Sequence, residues 1–444
     1  MSARPQRAGM GSHQTAAKPT FGEALGVWAK IGILSFGGPA GQIALMHRML
    51  VEERGWIGEK RFLHALNFCM LLPGPEAMQL ATYVGWRLHG TAGGLAAGLL
   101  FVLPGALIVL ALSIAYALYG QLPLVETAFI GVKAAVLVIV IEALLRVARR
   151  TLHKPYDWAI AADAFIAIFF FGVPFPAIIA AAALAGFLLA RAGAAEVDPL
   201  PDAPPVALAQ TLRTAALWLA IWLVPLIALG VLLGREHVTT DIALLFSKIA
   251  VVSFGGAYAA LAYMAQQAVE IYGWLSAGEM LDGLGLAETT PGPLILVTEF
   301  VGFLAGYRQG GEPALASGLL GAAIALWATF VPSFLFIFTG ARYVERLTAN
   351  PKLAGALRGV TAAVVGVILN LSLWFALHAL FDRVDDRWHG PLRLWTPDPA
   401  SLNVDALLLA ILAAILLLWL RAGIVTTLAL TAGAALAWSL LAGS

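Results

Sequence analysis

Thirteen apolar stretches follow one another along the chain, and they constrain its fold more than any other feature. Most approach the roughly 20 residues that a helix needs to cross a bilayer. Because the backbone must satisfy its own hydrogen bonds at membrane depth, each stretch is expected to be helical. The sequence therefore predicts an all-α polytopic membrane protein with about 13 transmembrane stretches. These stretches are 21–38, 62–86, 91–119, 125–145, 158–172, 175–190, 214–233, 242–256, 280–303, 314–340, 359–381, 406–420 and 424–441.

Composition excludes the other large classes of protein. The chain is 60% apolar and 12% charged, whereas soluble chains are about 45–50% apolar and about 25% charged. Its 27 basic and 26 acidic residues give a net charge of +1, so nucleic acid is not an expected partner. The single Cys69 excludes an internal disulfide. Since no metal-binding, nucleotide-binding or catalytic-triad motif occurs, we expect no enzyme, no cofactor and no bound metal.

The chain contains an internal repeat with an offset of 218 residues. Chance does not hold one register through several motifs, so we interpret the chain as a duplication of one unit. The aligned pairs are the Ser-Phe-Gly-Gly motifs at 35–38 and 253–256, the Pro-Gly-Pro motifs at 73–75 and 291–293, Glu52 and Glu270, and, after insertions, Pro104 and Pro332, and Gly131 and Gly359.

The repeat divides the chain into five segments. Proline fixes φ and offers no N–H donor, so the segment with four prolines between 199 and 205 is interpreted as an extended linker. The helix after this linker inverts the second half relative to the first. The predicted segments are a cytoplasmic tail (1–20), an N-terminal repeat (21–192), the linker (193–210), a connecting transmembrane helix (211–234) and a C-terminal repeat (239–444).

Basic residues predict the orientation, because they favour cytoplasmic loops. One cluster lies within 146–154 and another within 342–358, and an even number of stretches separates them. Both clusters can therefore be cytoplasmic, yet the first follows the Gly131 helix and the second precedes the Gly359 helix. The halves then form an inverted-topology repeat, as in many secondary transporters. The predicted protein is a multi-pass protein of the cytoplasmic membrane with a cytoplasmic N-terminus.

One basic segment does not fit this orientation. Four basic residues between 48 and 61 fall in a loop that the count of spans places outside. The segment is either an amphipathic helix at the interface or part of a re-entrant hairpin. The sequence likewise leaves open whether 21–38 and 242–256 span the membrane or re-enter it.

The Pro-Gly-Pro motifs each interrupt an apolar stretch. Prolines cannot donate to the helical hydrogen-bond ladder, so the helix breaks and its next segment presents free N–H groups. Secondary transporters bind substrates at such breaks near the midplane. The glycine pairs of the other motif either let a ligand approach the backbone or pack helices closely. The predicted substrate-binding residues from these motifs are Gly37, Gly38, Gln42, Pro73, Gly74, Pro75, Gln79, Gly255, Gly256, Thr289, Thr290 and Gly292.

Two lysines complete the predicted substrate site. Lys30 and Lys248 each lie five residues before the repeated glycine motif, and an ionisable residue inside a membrane helix is a functional hypothesis by default. The alternative is that each side chain extends to the interface. Two ammonium groups related by the repeat would balance a doubly charged anion. Three carboxyl groups flanking the broken helices are predicted to carry a coupling proton, namely those of Glu76, Glu288 and Glu299.

These motifs, in this order, resemble the chromate ion transporter (CHR) family. Ser-Phe-Gly-Gly-Pro-Ala-Gly-Gln at 35–42 and Leu-Pro-Gly-Pro-Glu-Ala-Met-Gln at 72–79 look like its N-terminal half, and Thr-Thr-Pro-Gly-Pro at 289–293 looks like its C-terminal half. The resemblance implies a two-domain exporter of chromate, driven by the membrane energy and associated with chromate resistance. It also implies two oppositely oriented halves. The halves differ in one respect, because Ala257 and Ala260 replace Pro39 and Gln42 of the first copy.

Three functions remain open at this point. The first is efflux of chromate by alternating access, coupled to protons. The second is uptake of a sulfate-like dianion, because chromate and sulfate are both tetrahedral and similar in size. The third is a membrane scaffold or sensor without net transport. The expected partners are a chromate-like or sulfate-like dianion and the lipid bilayer, and a homodimer is left open.

Overall fold

The computed structural model describes residues 18–190, 208–254, 257–341 and 351–442, which are mainly α-helical. Six described helices are long and apolar enough to cross a membrane. They support the predicted all-α polytopic membrane protein, whereas the count of 13 stretches stays a prediction because the other apolar helices are shorter. The six are Glu76–Tyr119, Pro123–Thr151, Leu208–Leu233, Ala314–Gly340, Pro351–Leu380 and Ile424–Leu441.

Seven helices make up the described part of the N-terminal half. Proline stands in the first turn of four of them, α2, α5, α6 and α7, where its missing N–H breaks no hydrogen bond of the helix. The helices are α1 (Phe21–Leu34), α2 (Gly38–His47), α3 (Glu59–Leu71), α4 (Glu76–Tyr119), α5 (Pro123–Thr151), α6 (Pro155–Phe171) and α7 (Phe175–Leu189), with a π-helical turn after α2 (Arg48–Glu52).

The second half repeats this order of elements after one connecting helix, α8 (Leu208–Leu233). A π-helical turn follows α10 at the register where one follows α2, so the repeat extends to this detail of the backbone. The helices are α9 (Val238–Val252), α10 (Ala257–Ala265), α11 (Ala277–Thr289), α12 (Val297–Gln309), α13 (Ala314–Gly340), α14 (Pro351–Leu380), α15 (Val404–Ala414) and α16 (Ile424–Ala442), with the π-helical turn at Gln266–Ile271.

The first apolar stretch forms one arm of a helix pair, α1 and α2. The chain reverses at Gly37 and Gly38, whose φ angles of +84° and +70° lie in the left-handed region that glycine tolerates. Arg54, just beyond the π-helical turn, lies 3.5 Å from Glu23 at the start of α1. The end of the α1–α2 pair therefore lies next to the start of α1.

The second predicted stretch, 62–86, is divided in the structure. Helix α3 ends at Leu71, before the Pro-Gly-Pro motif, and α4 begins at Glu76. Helix α4 then continues into the third predicted stretch through a kink at His89 and Gly90. Helix α4 therefore consists of two segments, one on each side of this kink. The segments follow each other without a loop because Gly90 takes a φ of +63°, at which the chain reverses.

The two halves exchange their last helices. Helices α15 and α16 of the second half pack on α5, and α6 and α7 of the first half pack on α14. The repeated glycines permit the closest of these contacts, since a Cβ at Gly131 would overlap the carbonyl of Thr431 and one at Gly359 would overlap that of Ala182. Each half is therefore completed by helices of the other.

The segment 382–402, which the sequence indicated to be a solvated loop, contains a β-hairpin. Strands β1 (Val384–His389) and β2 (Leu392–Pro397) pair antiparallel and turn at Gly390, which has a φ of +63°. Its charged residues do not all face solvent: Arg393 is buried, and pairs with acidic residues on both strand β1 and the rest of the protein. Opposite charges that pair across the strands explain why a polar sequence folds here.

Candidate substrate-binding site

The first helix break requires glycine for two reasons. Gly74 has a φ of +112°, where an L side chain is strained. A Cβ at this position would also lie 2.8 Å from Gln79 Nε2 and 3.0 Å from Ser333 Oγ. Pro73 and Pro75 on either side cannot donate hydrogen bonds, so α3 ends before the motif and α4 begins after it.

Each break is hydrogen-bonded to the Ser-Phe-Gly-Gly turn of the other half. The Gly74 N–H donates to the carbonyl of Ser253 at 3.1 Å, and the Gly292 N–H donates to the carbonyl of Ser35 at 2.9 Å. The two bonds are related by the repeat offset. Described residues of all four repeated motifs therefore join the two halves, and the backbone of each half closes against the other at these bonds.

Two buried glutamines add hydrogen bonds at the helix breaks, where the backbones of the two halves meet. Gln42 Nε2 donates to Gly292 O at 2.6 Å and to Ser35 O at 3.3 Å, and Gln79 Nε2 donates to Pro73 O at 2.7 Å. Both satisfy carbonyl groups that the helix breaks leave without a partner. The Oε1 atoms of the two side chains are buried and have no hydrogen-bond partner among the described residues. They can accept hydrogen bonds from water or from a protonated ligand.

Two hydroxyl groups beside the breaks are also without partners. Thr329 Oγ1 and Ser333 Oγ are buried on α13, and neither makes a hydrogen bond within the described part of the chain. A buried polar group without a partner costs free energy, so such groups mark a place where water or a ligand binds. Hydroxyl groups can donate to an oxyanion, and the N-terminal turn of α4 adds the positive end of a helix dipole.

A small cavity lies between the first break and the opposite turn. It has room for about one water molecule, so it must widen to admit a tetrahedral oxyanion. The residues that line it come from both halves, and they are Gly74, Pro75, Ile249, Ala250, Ser253, Ala257, Ala260, Ile295 and Thr329.

The predicted lysines lie elsewhere. Lys30 on α1 and Lys248 on α9 are both exposed, and neither lines this cavity. Gly37 and Gly38 form the turn after α1, while their repeat partners Gly255 and Gly256 lie outside the described residues. The structure thus brings the helix breaks and the two glutamines together, but it leaves the two lysines on the surface.

The two threonines before the second break serve their own helix. Thr289 Oγ1 donates to Leu286 O at 2.8 Å and Thr290 Oγ1 donates to Ala287 O at 3.0 Å. Both hydroxyl groups thus compete with the backbone ladder at the end of α11. They shape the break, and their donor hydrogens are already used in this structure.

The three predicted carboxyl groups have different surroundings. Glu76 is half-buried in the first turn of α4. Glu288 is buried at the end of α11 and accepts a hydrogen bond from Tyr258 Oη at 2.9 Å. Glu299 is buried on α12, and its Oε2 atom has no hydrogen-bond partner among the residues that the structure describes.

Sequence reasoning missed several residues of this region. Ser333 follows Pro332, and its counterpart Gly105 follows Pro104 and packs so closely on the second break that a Cβ there would overlap the Pro291 carbonyl. The aligned prolines were a signal that could have found both residues. Asp282 gave no such signal: it is buried on α11, accepts a hydrogen bond from Tyr116 and lies 3.9 Å from Lys133 Nζ. These partners belong to the other half of the repeat.

Comparison with known proteins identifies relatives over most of the chain. The family model described as chromate transporter matches residues 23–187 and again residues 240–438. The chromate transport protein of Pseudomonas aeruginosa is 34% identical over 83% of this chain and 84% of its own length. The probable chromate transport protein of Synechococcus elongatus is 32% identical over 80% of this chain and 84% of its own length. The chromate transport protein of Cupriavidus metallidurans is 29% identical over 85% of this chain and 88% of its own length. No solved structure is significantly similar to the chain.

Proposed function

Because the chain belongs to the chromate transporter family, we propose that it exports chromate from the cytoplasm by alternating access, coupled to the proton gradient. The family is one of membrane transporters and not of enzymes. One observation carries the proposal for the site: two hydrogen bonds, Gly74 to Ser253 and Gly292 to Ser35, close the same backbone crossing in both halves. The tetrahedral dianion binds between the two halves when these hydrogen bonds open.

The proposed topology is an inverted repeat with re-entrant helix pairs. In the first half, Arg54 lies by Glu23, and His89 at the kink of α4 lies 2.9 Å from the Pro19 carbonyl. The pairs α1–α2 and α3–α4 thus begin and end near one face. In the second half Arg308, at the end of α12, pairs with Glu279 at the start of α11. We assign these pairs to opposite faces of the membrane, which leaves the second segment of α4, α5 to α8 and α13 to α16 to cross it.

This topology accounts for the basic segment that did not fit the count of spans. If α1–α2 and α3 with the first segment of α4 re-enter, residues 48–61 lie on the same side as the basic cluster at 146–154. Both then face the cytoplasm, as basic residues favour. The N-terminus is cytoplasmic under either count, because re-entrant pairs change the number of crossings before the cluster from four to two.

Alternating access requires the two contacts between the halves, Gly74 with Ser253 and Gly292 with Ser35, to open in turn. The break at Gly74 belongs to the pair assigned to the cytoplasmic face, and the break at Gly292 belongs to the pair assigned to the outer face. Opening the first admits chromate to the hydroxyl groups of Thr329 and Ser333. Opening the second releases it. Lys30 and Lys248 supply counter-charge along the two approaches, which is consistent with their exposure.

The proposed proton carriers are Glu76, Glu288 and Glu299. Carboxyl groups within membrane segments are rare and commonly belong to proton relays. Glu299 is the strongest of the three candidates, because it is buried and its Oε2 atom has no hydrogen-bond partner among the described residues. A proton taken from outside would move inward as chromate moves outward.

Chromate accumulation in everted membrane vesicles tests the function. Everted vesicles accumulate what the cell exports, so gradient-dependent accumulation by the wild type is expected. Lys30→Ala/Lys248→Ala tests the counter-charge and Thr329→Val/Ser333→Ala tests the hydroxyl donors. If only one of these double substitutions abolishes chromate accumulation, the substrate site is assigned to the two residues that it replaces. If the wild type accumulates no chromate, export is wrong, and labelled sulfate in right-side-out vesicles then tests uptake.

A further inference from the structure

A buried carboxylate joins the second half to the first in the second turn of α11. Asp282 is 4% exposed. Its Oδ2 atom accepts a hydrogen bond from Tyr116 Oη of α4 at 2.8 Å. Its Oδ1 atom lies 3.9 Å from Lys133 Nζ of α5, which is too far for a hydrogen bond. Oδ1 is buried and has no hydrogen-bond partner among the described residues.

A second buried carboxylate of the protein shows how a permanent charge is held. Asp157 accepts four hydrogen bonds, two of them from Arg358. An ionised carboxylate offers about four acceptor positions, and burying it is costly unless hydrogen bonds fill them. Asp282 receives one hydrogen bond from the described residues, which a neutral carboxyl group can also accept. Its surroundings therefore suit the protonated form as well as the charged form, which Lys133 favours.

Few ionisable groups face Asp282. Lys133 and Tyr116 come from the first half, and Glu279 lies one turn earlier on the same helix. The charge of Glu279 is balanced within the second half, because Arg308 of α12 binds it through two hydrogen bonds. Helix α16 and the turn at 294–296 also pack on α11 and carry no ionisable residue. The remaining ionisable residues of α4, α5, α12 and α14 do not act appreciably on Asp282, so Lys133 is its counter-charge.

The repeat does not duplicate this ion pair. His64 occupies the register of Asp282 in the first half, at the offset of 218 residues. Thr361 occupies the register of Lys133 in the second half, once the aligned glycines of the two helices are matched, and its hydroxyl donates within its own helix. Among the described residues, this charged contact between the halves therefore exists at α11 and has no counterpart at α3.

We propose that Asp282 is a proton-binding site and that a proton bound there breaks the ion pair that holds α11 against the first half. The inference rests on the proposed function for the use of the proton gradient in transport, but not for the binding of the proton. The proton adds to Oδ1, and Tyr116 keeps its hydrogen bond to Oδ2. Lys133 loses its counter-charge, but its side chain is 30% exposed and its ammonium group stays hydrated. Neither state therefore leaves a buried charge unpaired.

The attachment of α11 affects the second helix break, because the helix leads directly into it. Helix α11 ends at Thr289, and Gly292 then donates to the carbonyl of Ser35 in the first half at 2.9 Å. While Asp282 is charged, its ion pair and the Gly292 hydrogen bond hold the same short segment. A proton at Asp282 removes the first of these contacts and favours opening of the second. By linkage, the proton then binds more tightly to the open state of this break than to the closed state.

Infrared difference spectra of the purified full-length protein, recorded between alkaline and acidic buffer, test the proton site without transport. Acidification of the wild type should produce the C=O stretching band of protonated carboxyl groups, and part of this band should be missing in Asp282→Asn. In Lys133→Gln that part should persist to a pH about one to three units higher, because the cation that favours the charged form is removed. His64→Asn is the matched control, since it places a neutral amide at the same register of the other half.

Tyr116→Phe keeps the test decisive if Asp282→Asn does not fold. Its ring can retain the edge contacts with Phe129 and Phe300, while the hydrogen bond to the charged form is lost. The band should therefore move in the same direction as in Lys133→Gln, by a smaller amount. Identical spectra of the wild type and Asp282→Asn, or a band that moves in neither Lys133→Gln nor Tyr116→Phe, would overturn the proton site.

Two transport assays of the reconstituted protein separate this inference from the proposed function. Chromate accumulation driven by an imposed pH gradient should fall about tenfold in Asp282→Asn. Exchange of labelled chromate at equal concentrations should stay near the wild-type rate, because a neutral residue no longer responds to protons. If the spectra change as expected and the wild type moves no chromate, the proton site stands and the substrate is wrong. If the wild type and Asp282→Asn accumulate chromate equally, export stands and the proton at Asp282 does not open the break.

Discussion

Individual glycines determine whether the two halves can close on each other. Gly74 and Gly292 both have φ angles near +100°, and each N–H is donated across the interface between halves. A residue with a side chain would strain the backbone at the atom that makes the contact. The repeated glycine therefore supports both the helix break and the closure of the site.

Replacing these glycines should weaken the fold measurably. Gly74→Ala should lower the free energy of unfolding by about 2 kcal/mol, since an L residue at positive φ costs roughly 1–2 kcal/mol and its Cβ crowds Gln79. Gly292→Ala should cost somewhat less, because its nearest neighbour is the flexible end of Leu296. The melting temperature of the purified protein in detergent is the measurement. Gly22→Ala is the control, because a Cβ there meets no atom within 4 Å.

The hydroxyl group of Thr329 provides a test of ligand contact without a change of volume. Thr329→Val removes a buried donor that has no partner among the described residues, so the fold should tolerate it. If the hydroxyl binds the oxyanion, KM for chromate should rise about tenfold while kcat changes little. Thr427→Val, where the hydroxyl donates at 3.1 Å to the carbonyl of Gly423 just before its own helix, should leave KM unchanged. A similar KM for both variants would remove Thr329 from the site.

At the scale of elements, the sequence predicted the broken helices but left open whether the short apolar stretches before them cross the membrane or re-enter it. Pro-Gly-Pro identifies a break because proline and glycine act locally, through φ and a missing donor. The sequence could not decide between them, because an apolar helix that turns back has the same composition as one that crosses. The β-hairpin was missed because Arg393 looks like a solvated residue until its partner at Glu270, far away in the chain, is known.

The proposed re-entrant pairs predict on which side of the membrane two repeat partners are exposed. Glu53 and Ile271 are repeat partners, and both are exposed in the structure. In a Cys69→Ala background, Glu53→Cys should react with an impermeant thiol reagent only in everted vesicles, and Ile271→Cys only in right-side-out ones. Reaction of both positions from the same side would contradict the inverted repeat.

At the scale of the whole molecule, each half is completed by the other. The swapped packing of α15 and α16 on α5, and of α6 and α7 on α14, could not be predicted from the sequence, because the repeat specifies which residues correspond and not which copy they contact. Gly131 and Gly359 illustrate this limit: their alignment marked them as important, whereas their role as points of close helix contact required the neighbours Thr431 and Ala182.

One buried ion pair holds this exchange together at the face assigned to the cytoplasm. Asp157 at the start of α6 has no exposed side-chain surface, and it binds Arg358 of α14 through two hydrogen bonds of 2.9 and 2.6 Å. The N–H groups of His153 and Lys154 donate to the same carboxylate. Four donors on one carboxylate make this pair a fixed joint, in contrast to the contact between Gly74 and Ser253, which is a single backbone hydrogen bond.

Removing this joint should therefore affect stability far more than transport. Asp157→Asn leaves Arg358 without its charge partner, so we expect a loss of about 3 kcal/mol in the free energy of unfolding, read as a lower melting temperature in detergent. Asp385→Asn, in an ion pair whose two side chains are each 63% exposed, should change it by less than about 1 kcal/mol. If α6 and α14 form a static frame around the moving breaks, chromate accumulation per folded molecule should stay near the wild-type value. Lost accumulation at unchanged stability would instead place this joint among the moving parts, and the static frame would have to be sought at α5 and α16.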